Sequence, residues 1–124
     1  MALISATTVT ACTIAAVCSG APAPAPESSL VLSLRGTTGV ERVVHLTCSP
    51  DAGTHPRARA ACAALTRAEG DFDRLPVKDS TCTMVYSPVR AEAHGHWQGD
   101  PVDYTTEYAN RCVADARSGG VFGF

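Results

Sequence analysis

From residue 30 onward the apolar positions fall into short runs whose period changes along the chain. Leu30, Leu32 and Leu34 alternate with Val31 and Ser33, which predicts a strand with three leucines on one face. Gly36-Thr37-Thr38-Gly39 reads as a turn, and the β-branched stretch 40–48 returns as a second strand, making a hairpin. A loop over residues 49–55 leads to Pro56, which suits the first position of a helix with Thr54 or His55 near the cap. The helix runs through Ala60-Ala61-Cys62-Ala63-Ala64-Leu65 and stops at Gly70. Cys62 and Leu65 share its inner face with Ala58 and Ala61, and Phe72 and Leu75 follow in a short turn as core plugs.

Beyond Pro88, stretches 89–93 and 96–98 flank His94-Gly95, which predicts a hairpin turn with Gly95 at positive φ. Val102, Tyr104, Thr106 and Tyr108 then alternate with Asp103, Thr105 and Glu107, the clearest strand pattern in the chain. Asn110 can cap a short helix through Cys112 to Arg117 that Gly119-Gly120 stops, and residues 121–124 read as a last apolar strand. The order predicts an α+β domain: an antiparallel sheet of about five strands with two short helices.

Composition changes this picture mainly at the N-terminus. Residues 1–18 carry no charge, are rich in Ala, Ile, Val and Thr, and run into Ser19-Gly20-Ala21-Pro22-Ala23. This predicts a secretory signal over residues 1–23, cleaved between about residues 20 and 26, although no Lys or Arg precedes the apolar run. A membrane span would need about 20 apolar residues, and this run is shorter and interrupted by Thr and Ser. Val9-Thr10-Ala11-Cys12 resembles a lipoprotein acylation box but lies too near the start and lacks basic flanks. Residues 24–29 belong to an Ala/Pro-rich extended leader, and the folded domain is expected over 30–124.

At 124 residues there is room for one core. Ten basic and twelve acidic residues give a net charge of −2, which disfavours nucleic acid or an anionic membrane as partner. Arg57, Arg59 and Arg67 read as a solvated helix face. Of six cysteines, Cys12 and Cys18 fall in the segment expected to be removed, leaving Cys48, Cys62, Cys82 and Cys112. An even set in an exported chain predicts two disulfides, with three connectivities open. Zinc is disfavoured, since no C-x-x-C or nearby histidine pair accompanies them.

No catalytic constellation assembles. His45 is expected as a partly buried strand residue, His55 as solvated or capping, and Trp97 as a core or sheet-face aromatic. Glu92, His94 and His96 would share a face only if the strand were continuous, so no metal or other cofactor is expected. Neither a nucleophile elbow nor a phosphate-binding glycine loop is present. The informative stretch is Ser80-Thr81-Cys82-Thr83-Met84-Val85-Tyr86-Ser87-Pro88, where an unbranched apolar residue follows a cysteine in a loop. From spacing alone Met84 fits a half-buried gap filler as well as an exposed ligand for a partner.

Leu46-Thr47-Cys48, Gly53-Thr54-His55-Pro56, Ala61-Cys62, Cys82-Thr83-Met84-Val85-Tyr86, Pro88-Val89, Trp97-Gln98-Gly99, Asn110-Arg111-Cys112 and Val121-Phe122-Gly123-Phe124 occur in one order along the chain. In these motifs residues 30–124 resemble the Streptomyces subtilisin inhibitor family of secreted serine-protease inhibitors. The resemblance implies an extracellular inhibitor, not an enzyme, with pairings Cys48–Cys62 and Cys82–Cys112 and a reactive-site bond between Met84 and Val85. It implies that Thr81, Cys82, Thr83 and Tyr86 contact the protease, and that Asn110 and Pro88 support the loop. The implied partners are subtilisin-like and chymotrypsin-like serine proteases and a second copy of the chain, bound through a sheet face on which Val31 is a candidate contact. Two departures stand out: the Gly36–Gly39 turn is shorter than the family's, and Thr83 replaces a common proline. A secreted binding module for a non-protease partner is the alternative reading.

Overall fold

The computed structural model describes residues 25–124, so the expected signal segment with Cys12 and Cys18 lies outside the described residues. Five strands form one antiparallel sheet: β1 (Ser28–Gly36), β2 (Glu41–Cys48), β3 (Ala52–Gly53), β4 (Val89–Trp97) and β5 (Asp100–Tyr108), in the order β3-β2-β1-β4-β5. The helices α1 (Ala58–Arg67) and α2 (Arg111–Arg117), with a 3-10 turn at Phe72–Arg74, complete the α+β domain. Both disulfides are present, Cys48–Cys62 and Cys82–Cys112.

The alternation in β1 works as read. Leu30, Leu32 and Leu34 are fully buried against the helical side, and Val31 faces out at 39% exposure. Leu46 on β2 and Ala91 and Ala93 on β4 extend the same inner face, which Ala61, Leu65, Phe72, Leu75 and Phe122 cover. Small alanines beside the central leucines let α1 and the aromatic plugs lie close to the sheet. His45 has the opposite phase to Leu46 and is exposed rather than partly buried, because period-2 geometry sends neighbours to opposite faces.

Other expectations are corrected. No turn interrupts β4 at His94-Gly95; the strand is continuous to Trp97, and the β4–β5 turn falls at Gln98-Gly99. Both turn residues have positive φ (47° and 89°), the two-residue hairpin geometry that matches strand twist. Gly95 does have positive φ (140°), but inside the strand, where it is a close-approach position: a Cβ there would collide with the Ser29 carbonyl oxygen on β1.

Residues 121–124 are not a strand. They fold back in tight turns, with Val121 N–H donating to the Ser118 carbonyl and Gly123 N–H to that of Gly120, and they bury Val121 and Phe122 completely. The apolar run reflects plugging of the core rather than pairing in the sheet. Finally, α1 begins at Ala58, not at Pro56, and its cap residue Arg57 makes no side-chain cap bond. His55 is buried rather than solvated: its Nδ1 accepts from the Arg57 N–H at 2.9 Å, and its Nε2 lies 2.9 Å from the Val121 carbonyl oxygen.

Candidate functional site: the 76–88 loop

Residues 76–88, between the 3-10 turn and β4, contain no helix or strand. Within them the chain exposes four large apolar side chains: Val77 (71%), Met84 (98%), Val85 (61%) and Tyr86 (75%). Thr81 and Thr83 are also exposed, while Cys82 and Pro88 are partly covered. A globular chain gains by burying such side chains, so the exposed run Met84-Val85-Tyr86 is a candidate surface for a partner. Met84 is therefore no gap filler.

The loop stays open because it is held at points rather than packed along its length. Between the points it arches over a hollow of about 270 Å³ bounded by Met84, Tyr86, Ala109 and Val113. Cys82 is bonded to Cys112 in the first turn of α2, with a Cα–Cα distance of 5.7 Å. Ser87 N–H donates to the Ala109 carbonyl at 2.8 Å. Pro88 then precedes β4, where it restricts the backbone of Ser87 to extended forms.

Asn110 provides the central hold. It is 8% exposed and caps α2, its Oδ1 accepting from the Val113 N–H at 2.9 Å. Its Nδ2 donates to the carbonyls of Val85 (2.7 Å) and Thr83 (3.3 Å), on either side of Met84. One side chain thus satisfies a helix terminus and pins the backbone before and after Met84. No hydrogen bond to the Met84 carbonyl occurs among the described residues, so that carbonyl is free for an incoming partner.

The candidate metal ligands do not assemble into a site among the described residues. With β4 continuous, Glu92, His94 and His96 do share the outer face, but His94 Nδ1 contacts Asp103 Oδ1 at 3.1 Å and the three do not converge. Among the described residues the one group of metal-binding side chains with converging ligand atoms is Cys48, Asp51 and Cys62, whose sulfurs are joined in a disulfide and cannot act as thiolates. His55 is held below its ordinary pKa chiefly by burial, partly offset by its bond to the Val121 carbonyl, and lies in the core rather than in a cleft.

Two of the loop's attachments that the sequence does not reveal stand out. One is the Ser87–Ala109 bond, a backbone contact that leaves no trace in residue type. The other is the ion pair Lys78–Asp115 at 2.9 Å, which ties the entering limb to α2. The only available signal was that Lys78 is the sole lysine.

The chain is similar to known proteins in sequence and in fold. The family profile described as "Subtilisin inhibitor-like" matches residues 26–110. Subtilisin inhibitor-like protein 2 of Streptomyces rochei is 47% identical over 104 residues, covering 78% of this chain and 92% of the relative. The subtilase-type protease inhibitor of Streptomyces coelicolor is 44% identical over 120 residues, covering 89% and 83%. Among solved structures, Streptomyces caespitosus sermetstatin in complex with Bacillus licheniformis subtilisin matches with a TM-score of 0.61 and 31% identity, over 78% of this chain and 98% of that one. The chain with this stapled, Asn110-pinned loop belongs to the subtilisin inhibitor-like family, a family of protease inhibitors rather than of enzymes.

Proposed function

We propose that this protein is a secreted, substrate-like inhibitor of subtilisin-type serine proteases and that the bond it presents is Met84–Val85. The observation that carries the reading is Met84 itself, 98% exposed while the carbonyls flanking it are held by Asn110. Met84 enters the primary specificity pocket. Thr81, Cys82 and Thr83 lie along the enzyme cleft as an added strand, and Val85 and Tyr86 occupy the leaving-group side.

Tight binding follows from preorganisation. Ordering a free peptide in a cleft costs on the order of 1–2 kcal/mol per residue. A loop already held by Cys82–Cys112, Asn110, Ser87 and Pro88 avoids much of that loss. Nanomolar affinity needs about 12 kcal/mol, within reach of one buried methionine plus strand-like hydrogen bonds. Once acylated, the enzyme finds the Val85 amine still in place, because Asn110 holds the Val85 carbonyl and Ala109 holds Ser87. The amine re-forms the bond faster than it leaves.

An unbranched apolar side chain suits the broad pockets of subtilisin-like and chymotrypsin-like enzymes and lacks the charge that a trypsin pocket requires. Titrating subtilisin with this chain is the test. Stoichiometric inhibition, with recovered chain nicked only after Met84, supports the reading. An unaffected enzyme, or cleavage spread over other bonds, removes it.

Secretion rests on the apolar 1–23 segment and on the two disulfides, which persist in oxidising compartments. No helix among the described residues is long and apolar enough to cross a membrane. A second copy of the chain is the further proposed partner, docking on the outer sheet face where Val31 (39%) and Val43 (49%) are exposed on adjacent strands. Sedimentation equilibrium of the wild type and of Val31→Glu tests it: a dimer that the charge dissociates supports the contact, and a monomeric wild type sinks it.

A further inference from the structure

The entering limb of the loop is fastened well ahead of the disulfide. Lys78 N–H donates to the Ala116 carbonyl at 2.7 Å, and Lys78 Nζ reaches Asp115 Oδ1 at 2.9 Å. The same Oδ1 receives Arg57 Nη2 at 3.3 Å, and that nitrogen also lies 3.3 Å from the Gly123 carbonyl oxygen. Pro76 rests on the turn that follows α2, where a Cβ at Gly119 would stand only 2.8 Å from the Pro76 carbonyl oxygen. Asn110, Cys112 and Asp115 therefore hold Val85, Cys82 and Lys78 in turn, so that α2 splints both limbs of the loop. Arg57 also holds Asp115, joining it to the start of α1 and to the C-terminal tail.

We propose that Asp115 is a positioning residue for the inhibitory reaction, acting through Lys78 to keep the entering limb in register before and after cleavage. The inference rests on Met84–Val85 being the reactive bond. Hydrolysis adds water across the Met84 carbonyl carbon and the Val85 nitrogen, giving a Met84 carboxylate and a Val85 ammonium; resynthesis expels that water. In the intact loop both ends of each limb are tethered. After nicking, residues 76–84 form an arm held by the Asn110–Thr83 bond, the Cys82 disulfide and the Lys78 attachment. Releasing Lys78 therefore frees the nicked form more than the intact one, which favours the nicked form at equilibrium and slows resynthesis.

The test measures the equilibrium ratio of nicked to intact inhibitor under catalytic subtilisin, alongside the inhibition constant and the thermal midpoint, for wild type, Lys78→Met, Asp115→Ala, the double variant, Lys78→Arg and Arg57→Met. Lys78→Met and Asp115→Ala should each raise the nicked-to-intact ratio roughly three- to tenfold, in the range expected of a partly exposed ion pair backed by chain ordering. Their effects should fail to add in the double variant, and Lys78→Arg should restore the wild-type ratio. Arg57→Met, which removes the other cation from Asp115 without touching the loop, should lower the midpoint while leaving the ratio unchanged. Unchanged ratios in Lys78→Met and Asp115→Ala overturn the inference, as does an equal shift in Arg57→Met, which would make the effect one of general stability. A wild-type chain that leaves subtilisin uninhibited overturns the inference together with the proposed function, so the two failures are told apart in one experiment.

Discussion

Asn110 uses both ends of its amide, the oxygen for Val113 N–H and the nitrogen for the loop carbonyls of Thr83 and Val85. Replacing it with Asp separates the two duties. Aspartate still caps α2, so stability should change by no more than about 1 kcal/mol, but it brings no donor to the loop. Inhibition of subtilisin should weaken roughly tenfold or more, while Asn110→Ala should lose the cap as well and melt earlier. Equal losses of stability in the two variants would contradict this division. At Met84, lysine should shift preference toward trypsin on the order of a hundredfold, read as the ratio of inhibition constants, since it supplies the cation that a trypsin pocket requires and methionine lacks. Oxidation of this exposed thioether to the sulfoxide should weaken subtilisin inhibition, since it puts a polar group into an apolar pocket.

The loop and α2 act as one element, and the two disulfides of the fold should therefore differ in what their loss does. Each closes a loop worth roughly 3–4 kcal/mol in the chain-entropy model. Removing Cys48–Cys62, which joins β2 to α1, should lower the melting temperature and leave the loop's geometry to its own anchors. Removing Cys82–Cys112 should turn Met84–Val85 into an ordinary cleavage site, seen as rapid nicking by subtilisin on a gel or by mass spectrometry. Thr83, where a proline is common in the family, puts more of the loop's stiffness on these tethers, because threonine leaves φ free. Within the sheet, Gly95→Ala should destabilise by roughly 1–3 kcal/mol, since its Cβ would collide with the Ser29 carbonyl; a native-like urea midpoint would refute that reading of Gly95.

Over the whole molecule, His55 joins the start of α1 to the C-terminal tail through Arg57 N–H and the Val121 carbonyl, with Phe124 edge-on to its ring at 5.6 Å. Burial depresses its pKa below the ordinary 6.5. The unfolded chain therefore takes up a proton near pH 6.5 that the folded chain still refuses. Stability contributed at this site is intact above pH 6.5 and is lost as pH falls from there through the lower folded value. Urea midpoints measured from pH 8 to pH 5 should fall for the wild type, and His55→Gln should start lower but show a shallower decline.

The central hairpin was legible because three alternating leucines allow one face only, and the cap at Asn110 because capping is local chemistry. The β4–β5 turn does not sit at the lone glycine, because the pair Gln98-Gly99 takes two positive φ values and Gly95 gives the backbone clearance from Ser29. Residues 121–124 have the hydrophobicity of a strand, but Ser118 and the glycine turns direct them into the core. In the loop, residue types marked Cys82 and Met84 as notable, and the family motifs supplied their roles. By itself, then, the sequence determined what is local: the leucine phase of β1, the Asn110 cap of α2, cysteine parity and the exposed methionine's chemistry. Only the tertiary structure decided which partners meet across the chain, Asn110 with Val85, Ser87 with Ala109 and Asp115 with Lys78. Those contacts depend on where the folded backbone delivers each group, and no local pattern of residue types encodes that distance.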